Sequence, residues 1–255
     1  MPRSSKAAGA VALVTGANRG IGLAFVQELA ARGARRIYAG VRDPAAVGAG
    51  TYDGLPVTVV PLDVTDPAAA QAAAVACPEV NLLVNNAGVF TNTRLVRAGD
   101  PDAARREMEV NYFGTLNMTR AFAPVLGANK GGYIANVLSV AGAFPAPFMG
   151  GYSPAKAAAL FLSSITRSEL ADQGTEVIAL IVGSVDTRMS AHVQGRKEDP
   201  RDIARAGLDA LDRGEHVADT DFMAIDARAR YARDPARYER GMTKLLTMTT
   251  MHTGR

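Results

Sequence analysis

The sequence contains one cysteine, no tryptophan, and no uninterrupted apolar run near the roughly 18 residues that a membrane span requires. A single cysteine forms no internal disulfide, which excludes a disulfide-stapled secreted scaffold and a cysteine-based zinc site. Three scattered histidines do not make a metal site, so we expect none. An apolar stretch near the amino terminus leads straight into a glycine-rich turn without a cleavage site. We therefore expect no signal peptide and a cytoplasmic location.

The chain also has little excess charge of either sign: it contains 28 Lys and Arg residues and 25 Asp and Glu residues, for a formal net charge of +3. The basic residues are spread along the chain without a long run. This pattern predicts a weak surface field and gives no indication of a nucleic-acid partner. The 255 residues suffice for one large domain with a substantial core.

Short apolar segments alternate with segments of helical spacing along most of the chain. The predicted strands are 11–14, 36–40, 57–62, 81–84, 133–137 and 177–181. The predicted helices are 23–31, 67–76, 102–125, 153–173 and 201–211. Strands with little polar alternation, separated by helices, favour a parallel sheet covered on both faces. Right-handed connections then predict a single α/β domain built on a doubly wound sheet.

The alternation weakens after Val185, and we expect the regular core to span 8–187. Residues 188–200 are polar and rich in helix breakers, and a helix follows them before a short strand near 216–217. The extension 214–255 begins with that strand and is helical in places. Three roles remain open for its part beyond residue 220: a cap on the domain, a contact between subunits, or a frayed tail.

A glycine-rich segment follows the first predicted strand and opens the first predicted helix. It reads Thr15, Gly16, Ala17, Asn18, Arg19, Gly20, Ile21, Gly22. Gly16 allows a tight turn, Gly20 lets the backbone approach a phosphate, and Gly22 permits close packing of helix on strand. The helix N-terminus offers free N–H groups and the positive end of its dipole to a pyrophosphate. Three residues separate the first two glycines, unlike the single residue of the common dinucleotide fingerprint.

Three further motifs follow in order: Asn-Asn-Ala-Gly at 85–88 after the fourth strand, Ser139 after the fifth, and Tyr152 with Lys156 at the start of a helix. Together with the glycine-rich segment they resemble the short-chain dehydrogenase/reductase family over roughly residues 10–190. The resemblance implies a Rossmann-type sheet with helices on both faces. It also implies binding of NAD(H) or NADP(H) and hydride transfer at a carbonyl or alcohol carbon.

Tyr152 and Lys156 stand four residues apart, which places both side chains on one face of a helix. A free phenol has a pKa near 10, so we expect the Lys156 ammonium to lower the pKa of Tyr152 towards the operating pH. The resemblance implies that Tyr152 gives or takes the proton and that Ser139 polarises the carbonyl. It further implies that Lys156 holds the nicotinamide ribose and that Asn111 anchors a water relay to this lysine.

The end of the second strand indicates which cofactor is preferred. An NAD enzyme places Asp or Glu there to bind the ribose 2′-hydroxyl, whereas this chain has Arg42. A guanidinium forms charge-assisted hydrogen bonds with a 2′-phosphate, and Arg19 offers a second partner. We therefore expect NADP(H) rather than NAD(H). Two alternatives stay open: Arg42 pairs with Asp43 in solvent, or Asp43 itself reaches the ribose.

The resemblance extends to further cofactor contacts. The residues implied are Asp63 and Val64 at the adenine, Asn85, Ala87 and Gly88 at the floor of the site, and Gly183, Val185 and Thr187 at the nicotinamide. The chain has Val182 where the family commonly has proline. We expect a more mobile loop there with cofactor binding intact. The segment between Asp63 and Asn85 is also short, which predicts a trimmed helix.

The substrate side is predicted to comprise residues 89–93, 143–149 and 188–200. The apolar side chains in the first two segments are Phe90, Phe144, Pro145, Phe148 and Met149. They favour a pocket for a hydrophobic ketone, aldehyde or ring, although a core or a subunit contact needs the same residue types. Arg188 and His192 either bind an anionic group or are solvated. We expect the methionines between 242 and 251 to pack on a neighbouring subunit or a pocket mouth, with simple adaptable packing as the alternative.

The pattern as a whole favours an NADPH-dependent carbonyl reductase acting on a small molecule, with Tyr152 as proton donor. Alcohol dehydrogenation and imine reduction on the same site are the alternatives within this class. A regulator that senses NADP(H) without turnover is the alternative from another class, although such a protein is expected to lose Tyr152 or Lys156. We expect a homodimer or homotetramer formed through the long helices beside the site, with no membrane or nucleic-acid partner.

Overall fold

A computed structural model describes residues 5–191 and 193–251, the last five of these by backbone alone. Within these residues the strands are β1 Val11–Thr15, β2 Arg36–Val41, β3 Val57–Pro61, β4 Leu82–Asn85, β5 Gly132–Val137, β6 Thr175–Ile181 and β7 Val217–Asp219. They form one sheet in the order β3-β2-β1-β4-β5-β6-β7. Every neighbouring pair is parallel, which confirms the predicted doubly wound α/β fold.

Helices connect the strands and cover the sheet. They are α1 Gly20–Ala31, α2 Pro67–Ala76, α3 Ala103–Met108, α4 Gly114–Ala128, α5 Val140–Ala143, α6 Tyr152–Glu169, α7 Pro200–Arg213, α8 Phe222–Arg233 and α9 Pro235–Met251. Local sequence explains several of the ends. Asp199 caps α7 by accepting a hydrogen bond from the Arg201 N–H, and Gly214 ends it in the left-handed conformation at φ +74°.

The core lies on both faces of the sheet. All five residues of β1 are buried, as expected for a central strand with helices on either side. On one face α1 and α7 pack apolar side chains, including Phe25 and Leu208, against the strands. On the other face α2 and α4 do the same, with Ala73 and Phe122 in a second cluster. The short helix α2 also matches the trimmed helix expected between β3 and β4.

Two of the predicted helices differ from the structure: one is interrupted and the other ends earlier than predicted. The helix predicted over 102–125 is divided into α3, a π-helical segment Glu109–Phe113, and α4. A π-helical turn holds one extra residue, and no proline or glycine in the segment announces it. The helix predicted over 153–173 ends at Glu169, and the Thr175 N–H bonds to the Leu170 carbonyl as the chain turns into β6.

The carboxyl-terminal helices α8 and α9 form a cap. The rings of Tyr231 and Tyr238 pack on Phe144, with centroids 5.2 and 6.0 Å from its own, and Met242 joins the same cluster. Helix α9 also packs against the turn Pro147–Met149. Of the three roles open for this region, the described residues therefore show the cap. None of the described helices is long and apolar enough to cross a membrane.

Candidate active site

The site lies at the point where the order of the strands reverses. Strands β1 and β4 are neighbours in the sheet, but their connections leave in opposite directions. The loops at the carboxyl ends of such strands separate and leave a crevice, which is where open α/β sheets bind ligands. The glycine-rich segment follows β1, and residues 85–88 end β4 and follow it. Both predicted motifs therefore border this crevice.

The glycine-rich segment has the shape of a phosphate site. Gly16 and Gly20 have positive φ angles of +64° and +54°, which favour glycine. A Cβ on Gly22 would lie 2.2 Å from the Gly16 carbonyl oxygen, so only glycine fits there. The side chain of Arg19 makes no capping hydrogen bond to the first turn of α1. The amino end of α1 thus suits the pyrophosphate of a dinucleotide.

Two side chains join this segment to the loop after β4. The buried Thr15 hydroxyl accepts hydrogen bonds from the backbone N–H groups of Asn86 (2.9 Å) and Ala87 (3.0 Å). In return, the Asn86 amide donates to the carbonyls of Thr15 (2.9 Å) and Gly16 (3.2 Å). Thr15 was predicted to contact the cofactor, but its hydroxyl is used to hold the two loops together. Asn86 was not among the predicted site residues, although it lies inside a recognised motif.

The residues predicted to select the cofactor lie at the ends of β2 and β3. Arg42 is exposed. The carboxylate of the neighbouring Asp43 accepts a hydrogen bond from the Ala45 N–H at 3.0 Å and so caps a short helical turn. Hydrogen bonds from Thr65, together with the charge of Arg42, hold the pKa of the Asp63 carboxyl below its usual value. Arg42 is therefore close enough to Asp63 to act on it, while Asp43 has a local structural role.

The remaining residues of the glycine-rich segment differ in exposure. Arg19 is exposed and Asn18 half-buried, so both side chains are accessible to a ligand. The side chain of Ile21 packs against the core beneath the sheet. Ile21 is itself half-buried, so part of its side chain also stays accessible.

Ser139, Tyr152 and Lys156 come together at the carboxyl end of β5, as predicted. Ser139 caps α5 by accepting a hydrogen bond from the Ala141 N–H at 3.2 Å, and a hydrogen bond joins it to the Tyr152 side chain. The Lys156 Nζ lies 5.7 Å from the centre of the Tyr152 ring and donates to the Val137 carbonyl at 2.8 Å. A phenol, a hydroxyl and an amine are thus gathered at one buried place.

The expected lowering of the pKa of Tyr152 is wrong for this structure. Burial raises the pKa of Tyr152 to about 12, the hydrogen bond with Ser139 opposes this, and the charge of Glu107 adds to it. Burial also lowers the pKa of Lys156 to about 8. Because each side chain is more than nine-tenths buried, the cost of desolvating a charge outweighs the attraction that the sequence argument invoked. Tyr152 therefore holds its proton at neutral pH.

Asn111 lies in the π-helical segment and is fully buried. Its amide brackets Val89, accepting from the Val89 N–H at 3.2 Å and donating to the Val89 carbonyl at 2.9 Å. A Cβ on Gly88 would lie 2.9 Å from the Asn111 Oδ1 and 3.7 Å from the Lys156 Nζ. The structure therefore brings Asn111, Gly88 and Lys156 together.

Two predicted cofactor contacts have side chains that point into the protein. The Asn85 amide donates to the Asn136 Oδ1 at 2.9 Å, and the Asn136 amide donates to Ser163 at 2.9 Å. This buried chain of hydrogen bonds links β4, β5 and α6, so the Asn85 side chain lies within the sheet layer. Val64 is also buried and packs on Gly114. Contacts from these residues to a ligand are limited to their backbones.

The loop after β6 is held by hydrogen bonds, although it lacks the proline expected from the family. The Gly183 N–H donates to the Asp221 Oδ2 at 2.6 Å, and Val185 forms a β-bridge with Glu198. Thr187 lies against the glycine-rich segment, since a Cβ on Gly20 would be 3.2 Å from its methyl carbon. The expectation of a more mobile loop therefore has no support in this bonding. Asp221, which caps α8, was not predicted.

Of the predicted pocket aromatics, Phe90 lies beside the reactive tyrosine. Its ring meets the Tyr152 ring edge-on, with centroids 5.4 Å apart, and Phe148 and Met149 pack in the same cluster. Phe144 belongs instead to the core under α8 and α9, so assigning it to a pocket was wrong.

The polar candidates on the substrate side remain without a ligand role. Arg188 is exposed and begins a short helical turn, Arg188–Ser190. Pro145, one of the apolar candidates, is exposed as well. His192 lies outside the described residues. Among residues 188–191 and 193–200, which the structure describes, no cluster of side chains marks a binding place for an anionic group.

Glu107 is the functional-site residue that sequence reasoning missed most completely. It is fully buried, and its Oε1 accepts hydrogen bonds from the N–H and the hydroxyl of Thr91, both at 2.8 Å. A charged residue in a predicted helix is normally solvated, and the neighbouring Arg105, Arg106 and Glu109 are indeed exposed. Spacing alone gave no reason to single out Glu107.

Comparisons with known proteins agree with this geometry. A family model described as short chain dehydrogenase matches residues 10–198. The 3-oxoacyl-(acyl-carrier-protein) reductase FabG of Escherichia coli is 30% identical over 92% of this chain and 94% of its own length. A short chain dehydrogenase from Burkholderia cenocepacia in complex with NADP is 40% identical, with a TM-score of 0.88 over 92% of this chain and 98% of that one. A relative from Burkholderia phymatum in complex with NAD is 28% identical, with a TM-score of 0.78 over 92% and 96%.

Proposed function

The chain belongs to the short-chain dehydrogenase/reductase family, and on that premise we propose that it is an NADPH-dependent reductase of carbonyl groups in hydrophobic small molecules. Family membership itself makes it an oxidoreductase that uses a nicotinamide cofactor. The observation that carries the proposal is the meeting of Ser139, Tyr152 and Lys156 beside the glycine-rich segment. Acid–base groups and a dinucleotide cradle thus share one crevice.

The proton in this reaction comes from Tyr152. NADPH held at the glycine-rich segment and by Lys156 would supply the hydride for the carbonyl carbon. The Tyr152 hydroxyl gives its proton to the carbonyl oxygen. A pKa of about 12 keeps the phenol protonated near neutral pH, which suits a proton donor. Ser139 donates a hydrogen bond to the same oxygen and stabilises the negative charge that develops there. Lys156 lies on the same helical face and holds the nicotinamide ribose, while Asn111 orders the loop beside it.

The preference for NADP(H) is supported by Arg42. Arg42 directly follows β2, at the position where an NAD enzyme would have a carboxylate, and its side chain is exposed. Arg19, within the glycine-rich segment, is also exposed. The relative from Burkholderia cenocepacia binds NADP and is more similar to this chain than the relative that binds NAD. A guanidinium placed on a 2′-phosphate would gain charge-assisted hydrogen bonds that the 2′-hydroxyl of NAD cannot offer.

Apolar surroundings favour a hydrophobic substrate. Phe90, Phe148 and Met149 pack around Tyr152, so a substrate carbonyl that reaches the phenol passes aromatic and thioether groups. The non-catalytic sensor is disfavoured because Tyr152, Lys156 and Ser139 are all present and assembled. Alcohol oxidation uses the same groups in reverse.

The enzyme is proposed to work as a homodimer or homotetramer. Phe161 and Ile165 on α6 are 73% and 55% exposed, and such apolar side chains on one helix suit a contact between subunits. Sedimentation equilibrium measures the number of subunits directly. Cytoplasmic location stays a prediction.

The test of the proposed function is cofactor oxidation by the purified protein with aldehydes, aryl ketones, cyclic ketones, quinones and imines. NADPH and NADH are compared side by side. Ser139→Ala reports on the site, and Ser168→Ala, an exposed serine on α6, is the matched control. We expect faster oxidation of NADPH than of NADH with apolar carbonyls, lost in Ser139→Ala and kept in Ser168→Ala. Consumption that survives Ser139→Ala, or no turnover of any carbonyl, would contradict the proposal.

A further inference from the structure

Glu107 is a buried carboxylate that the proposed reaction does not use. It lies near the end of α3 with none of its surface exposed, in a position where water cannot solvate it. Burying a carboxylate is costly unless it is hydrogen-bonded. Its Oε1 receives two hydrogen bonds from Thr91, but its Oε2 has no hydrogen-bond partner among the described residues. Such an arrangement calls for a role that offsets its cost.

The two bonds from Thr91 act on the segment that carries Phe90. Asn111 stands one helical turn after Glu107 and brackets Val89 through both polar atoms of its amide. Glu107 and Asn111 therefore hold the residues on either side of Phe90. With both neighbours held, the backbone of Phe90 is held too, and with it the direction of its Cα–Cβ bond. That side chain is the one that meets the Tyr152 ring edge-on at 5.4 Å.

The hydroxyl groups of Thr91 and Thr93 form a short chain of hydrogen bonds that ends at Glu107. The Thr91 hydroxyl donates to the carboxylate, so it is left to accept from Thr93, whose hydroxyl lies 2.9 Å away. The carbonyl of Thr93 in turn packs against Gly150, where a Cβ would lie 2.1 Å from that oxygen. The chain from Glu107 thus reaches the backbone that leads into Tyr152.

The unpartnered oxygen of Glu107 contacts the same backbone from the other side. A Cβ on Gly151 would lie 2.7 Å from Oε2, and Gly151 directly precedes Tyr152. The carboxylate also acts electrostatically on the tyrosine, raising its pKa beyond the effect of burial. The Glu107 side chain therefore contacts both the segment that carries Phe90 and the backbone that precedes Tyr152.

We propose that Glu107 is a positioning residue of the active site. It holds the segment that carries Phe90 beside Tyr152 and thereby sets how tightly an apolar carbonyl substrate binds. This inference rests on the proposed function, since it concerns the substrate of that same site. Glu107 itself donates no proton and touches no reacting atom. A charged acceptor forms stronger hydrogen bonds than a neutral one, which accounts for a carboxylate at this position.

Three variants separate positioning from mere packing. Glu107→Gln keeps an oxygen that accepts from Thr91, loses the charge and puts an amide NH2 group in place of one carboxylate oxygen. Glu107→Leu removes both hydrogen bonds at similar size, and Thr91→Val removes only the hydroxyl donor. Glu109→Gln is the matched control, because Glu109 is exposed two residues further along. Each is measured for NADPH affinity, and for kcat and KM with the best apolar ketone of the panel.

We expect Glu107→Leu to raise KM at least about tenfold, the loss that one or two buried hydrogen bonds imply, with unchanged NADPH affinity. Glu107→Gln should restore KM to within a few-fold of the wild type, with Thr91→Val between the two. Glu109→Gln should match the wild type. Equal KM values in Glu107→Leu and the wild type would overturn the proposal, as would a Gln variant no better than the Leu variant.

Amide hydrogen exchange gives a readout that needs no turnover. The Thr91 N–H should exchange faster in Glu107→Leu than in the wild type and remain protected in Glu107→Gln. Unchanged protection in a folded Leu variant would refute the anchoring by itself. If Leu does not fold, the Gln and Val variants carry the comparison. A wild-type protein without carbonyl turnover contradicts the proposed function alone, because exchange still reports on Glu107.

Discussion

The proposed cofactor side and the proposed substrate side of the crevice are built from different parts of the chain. On the cofactor side, backbone groups of two short segments, 15–22 and 85–88, form a cradle closed by Thr15 and Asn86. On the substrate side, side chains from distant parts of the chain meet: Phe90 after β4, Phe148 before α6, and α9 above them. The first side is a property of local sequence. The second depends on how the whole chain packs.

This difference explains which expectations were accurate. A glycine such as Gly22 leaves no choice of residue, because a Cβ would lie 2.2 Å from a carbonyl oxygen, and the constraint is visible in a short motif. Aromatic residues carry no such mark. Phe90 and Phe144 look alike in sequence, yet one lies beside Tyr152 and the other beneath Tyr231 and Tyr238.

The largest effect is expected from a substitution in the glycine-rich segment, Gly22→Ala, which should abolish cofactor binding. Gly22→Ala forces a Cβ to 2.2 Å from the Gly16 oxygen and 2.5 Å from the Asn86 amide nitrogen, so the turn and its link to β4 must shift. We expect loss of detectable NADPH binding by calorimetry. Gly241→Ala is the control, because nothing lies within 4 Å of the added methyl group there. Binding that survives Gly22→Ala at wild-type strength would show that the cradle lies elsewhere.

A smaller effect sharpens the account of cofactor choice. Arg42→Asp replaces the proposed phosphate partner by a carboxylate, and losing hydrogen bonds to a charged group costs about 10- to 100-fold in affinity. We expect NADPH to weaken by that factor while NADH is unchanged or bound better. Arg35→Asp makes the same exchange at an exposed residue before β2. Equal losses for both cofactors would refute a contact with the 2′-phosphate.

The smallest effect compares two phenylalanines across the substrate side. Phe144→Leu removes a ring from the cluster under α8 and α9, so we expect a loss of about 1–3 kcal/mol in the free energy of unfolding, with KM little changed. Phe90→Leu should do the reverse and raise KM several-fold with little effect on stability. Denaturant melts and steady-state kinetics measure both. The same pattern for the two variants would remove the distinction drawn between them.

The doubly wound parallel sheet, the glycine-rich segment and the grouping of Tyr152 with Lys156 were predictable because each follows from a short motif or a short-range rule. Tyr152 and Lys156 are one helical turn apart, and parallel strands bring their carboxyl ends to one edge of the sheet. These rules need no knowledge of which side chains are buried. They were enough to expect Ser139 near Tyr152, and the structure brings the two side chains together.

The rest depended on burial and on partners far away in sequence. The pKa of Tyr152 moved opposite to expectation because burial, which spacing does not reveal, raises it. Asp221 replaces the ordering effect of the missing proline, but it lies beyond β7 and bonds to Gly183 only in the folded chain. Glu107 resembles any solvated helix residue until its contact with Thr91 is seen. The π-helical segment likewise has no mark in its sequence.

The central claim is that Tyr152 gives the proton during carbonyl reduction, and one comparison tests it most directly. The rate of NADPH oxidation with the best carbonyl substrate is measured in Tyr152→Phe, with Tyr133→Phe as a matched change at the opposite end of the sheet and NADPH affinity measured in both. We predict a fall of about 10²- to 10⁴-fold for Tyr152→Phe, the usual effect of losing a general acid, with NADPH affinity retained. A Tyr152→Phe enzyme that keeps a rate near that of the wild type would contradict the account.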